Sequence, residues 1–140
     1  MDVKDQLDLN SVENIKMPPH SLEAEESALG SMMLSKEAIT ASIEILKTED
    51  FYQDAHRKIY DAILNIYNRN EPADVITIAE ELKKTESLEE VGGITYLADL
   101  SSNVTAVSNI RSYCKIIKEK GILRELINAS DKIISAAYSS

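Results

Sequence analysis

The chain has 140 residues, of which 44% are hydrophobic and only 4 are glycine and 3 are proline, a composition typical of a helix-rich globular protein. Its 24 acidic and 15 basic residues give a net charge of −9, which argues against binding to nucleic acid phosphates as the main role. No apolar run approaches the roughly 20 residues of a membrane span, the acidic start lacks a signal-peptide core, and the single cysteine excludes an internal disulfide. We therefore expect one all-α domain in the cytoplasm, without membrane contact and without direct contact to nucleic acid.

The first segment, residues 1–17, is polar, and its scattered apolar side chains form no sustained face. This pattern predicts a disordered N-terminal arm that ends at a pair of prolines, Pro18 and Pro19. A compact helical head is predicted over residues 18–104.

The head should contain about five short helices, each of which follows a capping residue or a turn. The predicted N-caps of the first four helices are Ser21, Ser35, Asp54 and Asp74. The fifth helix, residues 94–101, follows a tight turn at Gly92-Gly93.

Apolar spacing predicts how these helices pack. The third helix carries the widest apolar stripe of the head and is the predicted central helix. Leu22 and Ile43 are predicted to be buried on the first and second helices. On the fourth helix, Glu80 and Lys84 have the i,i+4 spacing of an ion pair.

The last segment, residues 105–140, is dominated by one long helix or two collinear ones, about 50 Å long against a head about 30 Å across. Its apolar face changes side at Gly121. The first face contains Ile110, Tyr113, Cys114 and Ile117, and the second contains Leu123, Leu126, Ile127, Ile133, Ile134 and Ala137. We expect the first half to pack on the head and the second half to face a partner.

The sequence lacks the motifs of common catalytic and cofactor sites. Its glycines do not form a phosphate loop, and His20, His56 and Cys114 lack metal-ligand spacing, so no cofactor is expected. His56 is expected to be solvated or packed, and Cys114 to be a buried structural thiol. Adjacent carboxylates such as Glu25-Glu26 are expected to be solvated faces, because neighbouring helical residues point about 100° apart. A small hydrolase would require His56 to converge with a nucleophile such as Cys114.

Three blocks of sequence carry a resemblance to a known family. They are PPHSLEAEESALGSMML near the start, EDFYQDAHRKIYDAI in the middle and LEEVGGITYLADL before the long helix. Together they resemble the N-terminal domain of the bacterial replicative DNA helicase, DnaB, over about residues 17–138.

The resemblance implies a helical head followed by a helical hairpin, with domains that pair and form a collar on a hexameric ring. It also implies two partners, the C-terminal domain of primase and a helicase loader. ATP and magnesium belong to a separate motor domain in that family. Because the sequence stops at Ser140, before the second hairpin arm and the motor, it is expected to be a fragment or a truncated form. This chain is therefore expected to be non-catalytic and to pair as a dimer rather than a hexamer.

The candidate sites are partner-binding residues. On the long helix they are Leu123, Ile127 and Ile133 of the second apolar face, together with Arg124, a directional hydrogen-bond donor beside that face. Tyr96, in the third of the blocks, is a further candidate, with core packing as its alternative role. Glu23, at the exposed start of the first helix, is a weaker candidate at the rim. Arg124 has an alternative role as a solvated charge. The alternative function is an unrelated acidic helical module for dimerisation or adaptor binding.

Overall fold

A computed structural model describes residues 17–140. This part of the chain contains helices and turns but no strand, which confirms the all-α class. The six α-helices are α1 (Leu22–Leu34), α2 (Lys36–Ile45), α3 (Asp54–Asn68), α4 (Val75–Lys84), α5 (Gly93–Ser102) and α6 (Ile110–Ser139). Two short 3-10 helices, Thr48–Asp50 and Val107–Asn109, precede α3 and α6. The predicted disordered arm lies, apart from Met17, outside the described residues.

Three of the four predicted N-caps are confirmed. The hydroxyls of Ser21 and Ser35 and the carboxylate of Asp74 each accept a hydrogen bond from the backbone N–H three residues later, at 2.9 to 3.3 Å. The prediction for Asp54 is wrong, because Gln53 is the N-cap and Asp54 is the first helical residue. A carboxylate from α1 holds the backbone N–H of Gln53, which starts the helix one residue earlier.

Two further predictions about helix bounds and burial are wrong. The long helix begins at Ile110 rather than Thr105, because the chain turns between residues 103 and 106 before a 3-10 turn. Leu22 and Ile43 are exposed rather than buried. On α2 the small residues Ala38, Ala41 and Ser42 form the buried face together with Ile39, and this places Ile43 at its edge.

The exposed ion pairs of α4 differ from the predicted one. Glu80 pairs with Lys83 at 2.9 Å, and Lys84 pairs with Glu81 at 3.3 Å. The predicted Glu80–Lys84 pair is wrong because both lysines reach back three residues instead of four. Each such pair is worth only about 0.2 to 0.5 kcal/mol, so the fold does not depend on the difference.

The central helix of the head is α1, so the prediction that the third helix is central is wrong. Helix α1 packs against α2, α3, α5 and α6. Its neighbours approach closely because Ala28, Gly30 and Ser31 are small and buried. At Gly30 the carbonyl of Leu100 and a methyl group of Val104 fill the space that a Cβ would occupy.

The long helix α6 is about 45 Å long and divides into two halves. Its first half packs on the head through Ile110, Cys114 and Ile117, which are buried, and through Gly121. Beyond Gly121 every side chain except Arg124 is exposed. The two apolar faces of the sequence correspond to these two halves.

The contact at Gly30 generates a stability prediction. In an unobstructed helix a change from glycine to alanine stabilises by up to about 1 kcal/mol. In Gly30→Ala the new methyl group would overlap the carbonyl oxygen of Leu100, so we expect a loss of about 1 to 3 kcal/mol in the free energy of unfolding, measured with urea. Ser130→Ala, on the exposed half of α6, is the control and should change stability little. A Gly30→Ala chain as stable as the control would contradict this packing.

Candidate functional site

A buried chain of three side chains joins α1, α3 and α5. The Nδ1 atom of His56 lies 2.8 Å from a carboxylate oxygen of Glu25, and its Nε2 atom lies 2.6 Å from the hydroxyl of Tyr96. Glu25 and His56 are each only 1% exposed. Because a carboxylate only accepts, Nδ1 carries a proton, and in the neutral imidazole Nε2 accepts the proton of Tyr96. His56 therefore has the packed role, one of the two expected for it.

The carboxylate of Glu25 also holds the backbone that leads into α3. One oxygen accepts from the N–H of Tyr52 at 2.8 Å, and the other accepts from the N–H of Gln53 at 3.3 Å. The interpretation of Glu25-Glu26 as a solvated face is therefore wrong for Glu25. Glu25 lies four residues before Leu29 and so shares the buried stripe of α1. That spacing is the sequence signal that could have identified it.

Tyr96 borders a cleft of about 540 Å³ beside α1 and α5. The cleft is also lined by Glu23, Glu26, Ser27, Asp99, Leu100, Asn103 and Thr105. Two of the predicted partner-binding residues, Glu23 and Tyr96, thus lie in one cleft with an acidic lining. Burial, and then the charges of Glu26 and Glu25, raise the pKa of Tyr96 to about 12, so its hydroxyl stays protonated at neutral pH.

Arg124 fastens the middle of α6 to the head. Its guanidinium donates to the carbonyl of Pro19 at 2.8 Å and to the carbonyl of Asp50. It also lies over the ring of Tyr52, 5.6 Å from the centroid, and the same ring stacks on His20 at 4.2 Å. Desolvation by burial lowers the pKa of Arg124. The structure therefore places this predicted partner donor in contacts within the chain, at the edge of the exposed half.

Asp50 lies beneath the point where α6 leaves the head. It is 3% exposed, and its carboxylate pairs with the ammonium of Lys118 at 3.1 Å and accepts from the N–H of Lys47 at 2.8 Å. Gly121 lies directly against it, since a Cβ there would be 2.8 Å from an oxygen of Asp50. Asp50 is a site residue that sequence reasoning missed, and no spacing in the sequence marks it.

Beyond Gly121 the exposed half of α6 presents a row of apolar side chains. Between 43% and 70% of each is exposed, and the row consists of Leu123, Leu126, Ile127, Ile133 and Ile134. Three of the predicted partner-binding residues belong to this row. A contiguous apolar surface of this kind marks a protein interaction site.

The described residues offer little for catalysis. Among residues 17–140 no group of three or more His, Cys, Asp or Glu side chains is placed to bind a metal ion. No helix in the same range is long and apolar enough to cross a membrane. Cys114 is buried, 3.4 Å from the hydroxyl of Ser42, and burial raises the pKa of its thiol. Cys114 has the buried structural role expected for it.

Comparison with protein families identifies the domain. Residues 17–119 match the family described as the DnaB-like helicase N terminal domain. The chain belongs to this family. The matched range covers the whole head and the first ten residues of α6, and it confirms the resemblance inferred from the three sequence blocks.

Individual relatives of this DnaB-like domain are named as replicative DNA helicases. It is 44% identical over 126 residues to the replicative DNA helicase DnaC of Bacillus subtilis, an alignment that covers 90% of this chain and 28% of the relative. It is 41% identical over 124 residues to the replicative DNA helicase DnaB of Geobacillus stearothermophilus, which covers 89% of this chain and 27% of the relative. The chain thus spans less than a third of the length of these relatives.

Solved structures agree with the fold. The N-terminal domain of the DnaB helicase from Mycobacterium tuberculosis matches with a TM-score of 0.86 and 44% identity, covering 89% of this chain and 90% of that one. A DnaB-like replicative helicase, described with its interactions with primase, matches with a TM-score of 0.72 and 26% identity, covering 84% of this chain and 28% of that one. The N-terminal domain of the Helicobacter pylori DnaB helicase, also described with its interactions with primase, has a TM-score of 0.72 at 21% identity, covers 99% of both chains and supports the fold alone.

The role of Glu25 can be tested by Glu25→Gln. This change keeps the size of the side chain but replaces one carboxylate oxygen by an NH₂ donor, which must face a group that is itself a donor, either the N–H of Tyr52 or the Nδ1–H of His56. We expect it to lower the free energy of unfolding by about 2 to 3 kcal/mol, measured by denaturant titration. The exposed Glu37→Gln is the matched control, and equal effects of the two changes would refute the structural role of Glu25.

The raised pKa of Tyr96 predicts a pH effect. Because the pKa is raised in the folded state, the protonated hydroxyl contributes stability that is fully present below about pH 10 and is lost as the pH rises towards 12. The absorbance of tyrosinate, compared between the wild type and Tyr96→Phe, should give a midpoint for Tyr96 of about 12. A midpoint near the usual value of 10 would show that the hydroxyl is solvated.

Proposed function

We propose that this chain is a non-catalytic collar domain of a replicative DNA helicase, which docks the C-terminal domain of primase and takes part in assembly of the helicase ring. The observation that carries the proposal is the exposed apolar half of α6 in a domain of this family. The relative at 26% identity that was described with primase supports the choice of partner. Family membership weighs against the alternative of an unrelated acidic adaptor.

The apolar row on α6 is large enough to support such docking. Full burial of one Leu or Ile side chain stabilises by about 1.5 to 3 kcal/mol, so the five residues of the row offer an upper bound of about 8 to 15 kcal/mol. Part of that sum is offset by the loss of freedom on association. The row therefore supplies the apolar part of a specific interface, and contacts elsewhere on the domain add to it.

The acidic cleft supplies the second part of the proposed interface. Glu23 is exposed there and Tyr96 is half-buried, so a partner group can reach both. The net charge of −9 favours a partner surface with basic groups. We assign Glu23 to the rim of the interface and Tyr96 to an aromatic anchor.

For the whole protein we propose the activity of its relatives, an ATP-dependent replicative DNA helicase in the cytoplasm. ATP and magnesium would bind in its motor domain, and a helicase loader would act on the ring. In this arrangement the domain pairs with a second copy and contributes to a hexameric ring. Its own part would be recognition of protein partners, without direct contact to nucleic acid.

Binding to the C-terminal domain of primase tests the proposal. Ile127→Ala and Tyr96→Ala should each weaken the Kd by about tenfold or more, because truncation of a buried anchor costs on the order of 1 to 2 kcal/mol. Ile76→Ala, at an exposed isoleucine on α4, is the matched control and should bind like the wild type. Calorimetric titration gives the Kd, and circular dichroism checks that each variant is folded. Unchanged affinity in both anchor variants would contradict the proposed interface.

Self-association uses the same row of side chains. We predict a monomer–dimer equilibrium for the 140-residue chain, and Ile127→Glu should shift it to the monomer because burial of an unpaired carboxylate is costly. Sedimentation equilibrium measures the change, with Ile76→Glu as the control. A stable hexamer, or dimers of equal strength in both variants, would contradict the prediction.

A further inference from the structure

A continuous line of contacts runs from the cleft to the base of the exposed half of α6. It starts at the hydroxyl of Tyr96, passes through His56 to Glu25, and reaches the backbone of Tyr52. The ring of Tyr52 then lies against Arg124 of α6. Within residues 17–140, every buried side-chain nitrogen and oxygen atom has a hydrogen-bond partner.

We infer that Glu25 and His56 are positioning residues that couple the cleft at Tyr96 to the anchor of α6 at Arg124, so that a partner binds the cleft and the exposed half of α6 cooperatively. The coupling is a property of the free chain and needs no partner to exist. Its use in binding rests on the proposed function.

The single proton of the Tyr96 hydroxyl gives the coupling its direction. In the neutral imidazole, whose Nδ1 proton is donated to Glu25, Nε2 accepts the proton of Tyr96, and this leaves the oxygen of Tyr96 as an acceptor. The carboxylates of Glu23, Glu26 and Asp99 favour a basic partner group in the cleft, and such a group donates. A donor to the oxygen polarises the O–H and strengthens its bond to His56. An acceptor group would instead take the proton and leave Nε2 of His56 buried without a donor.

The effect reaches α6 because Glu25 serves several donors at once. One of its oxygens is shared between Nδ1 of His56 and the N–H of Gln53, so a shift of the imidazole changes both bonds. The other oxygen holds the N–H of Tyr52, whose ring supports the guanidinium of Arg124. A stronger hydrogen bond between Tyr96 and His56 therefore also stabilises the contact between the ring of Tyr52 and Arg124.

Amide hydrogen exchange in the free 140-residue chain tests the coupling without any partner. Tyr96→Phe removes the hydroxyl and keeps the ring, and it should raise exchange at the amides of Tyr52 and Gln53 by at least about threefold. Exchange at Ile63, in the core of α3, should stay at the wild-type rate, which separates a local effect from global destabilisation. Wild-type rates at Tyr52 and Gln53 in Tyr96→Phe would overturn the inference.

Two further variants sharpen this result. Tyr67→Phe is the matched control, because that hydroxyl bonds to Thr40 on the surface at 3.0 Å and lies outside the line of contacts. It should leave Tyr52 and Gln53 unchanged. His56→Gln should reproduce the pattern of Tyr96→Phe, and adding Tyr96→Phe to it should have no further effect. Additive effects of the two changes would contradict a role of His56 as the link.

Affinity for the C-terminal domain of primase tests the cooperative binding. The Kd is measured for the wild type, Tyr96→Phe, Ile127→Ala and the double variant. If the two sites are coupled, the fold-increase in Kd of the double variant should be smaller than the product of the two single fold-increases, by a factor of at least about three. Tyr67→Phe combined with Ile127→Ala should give the simple product. A simple product for Tyr96→Phe and Ile127→Ala as well would overturn cooperative binding, whereas no binding by the wild type would overturn the proposed function and leave the exchange result to decide the coupling.

Discussion

The buried carboxylate of Glu25 is the interaction on which the rest of the structure depends. It fixes the backbone at Tyr52 and Gln53 and it orients His56, so it determines how the chain enters α3. A buried carboxylate without such donors would be strongly destabilising, and here the donors come from residues 52–56, which directly follow the segment at Asp50 that contacts α6. The residue stabilises the head by joining α1 to residues 52–56 and, through His56, to Tyr96 of α5.

The segment that Glu25 orders is also the base of the long helix. Asp50 pairs with Lys118, and the carbonyl of the same residue accepts from Arg124, while the lack of a side chain at Gly121 lets the helix lie close. Tight anchoring at this point allows the remainder of α6 to project without support from the head. An apolar surface on a projecting helix is well placed for a partner or for a second copy of the chain.

Much of the fold could be predicted from the sequence because it depends on local signals. Helical periodicity and capping residues such as Ser21 and Asp74 act within a few positions, and the change of apolar face at Gly121 is visible in α6 alone. The hydrogen bonds of Glu25 could not be predicted, since their donors lie far along the chain. The same long-range bond to Gln53 explains why the predicted cap at Asp54 was wrong. Arg124 was identified as a donor, but its acceptors Pro19 and Asp50 appear only once the chain is folded.

Hydrogen exchange along α6, with and without the C-terminal domain of primase, tests the central claim most directly. In the free chain, the amides of residues 114–121 should exchange as slowly as those of the core of α3, and those of residues 126–138 should exchange much faster. Addition of the primase domain should slow exchange in residues 126–138, and it should change exchange in residues 114–121 little. Equal exchange in both halves of the free helix, or protection by primase that leaves residues 126–138 unaffected, would contradict the account.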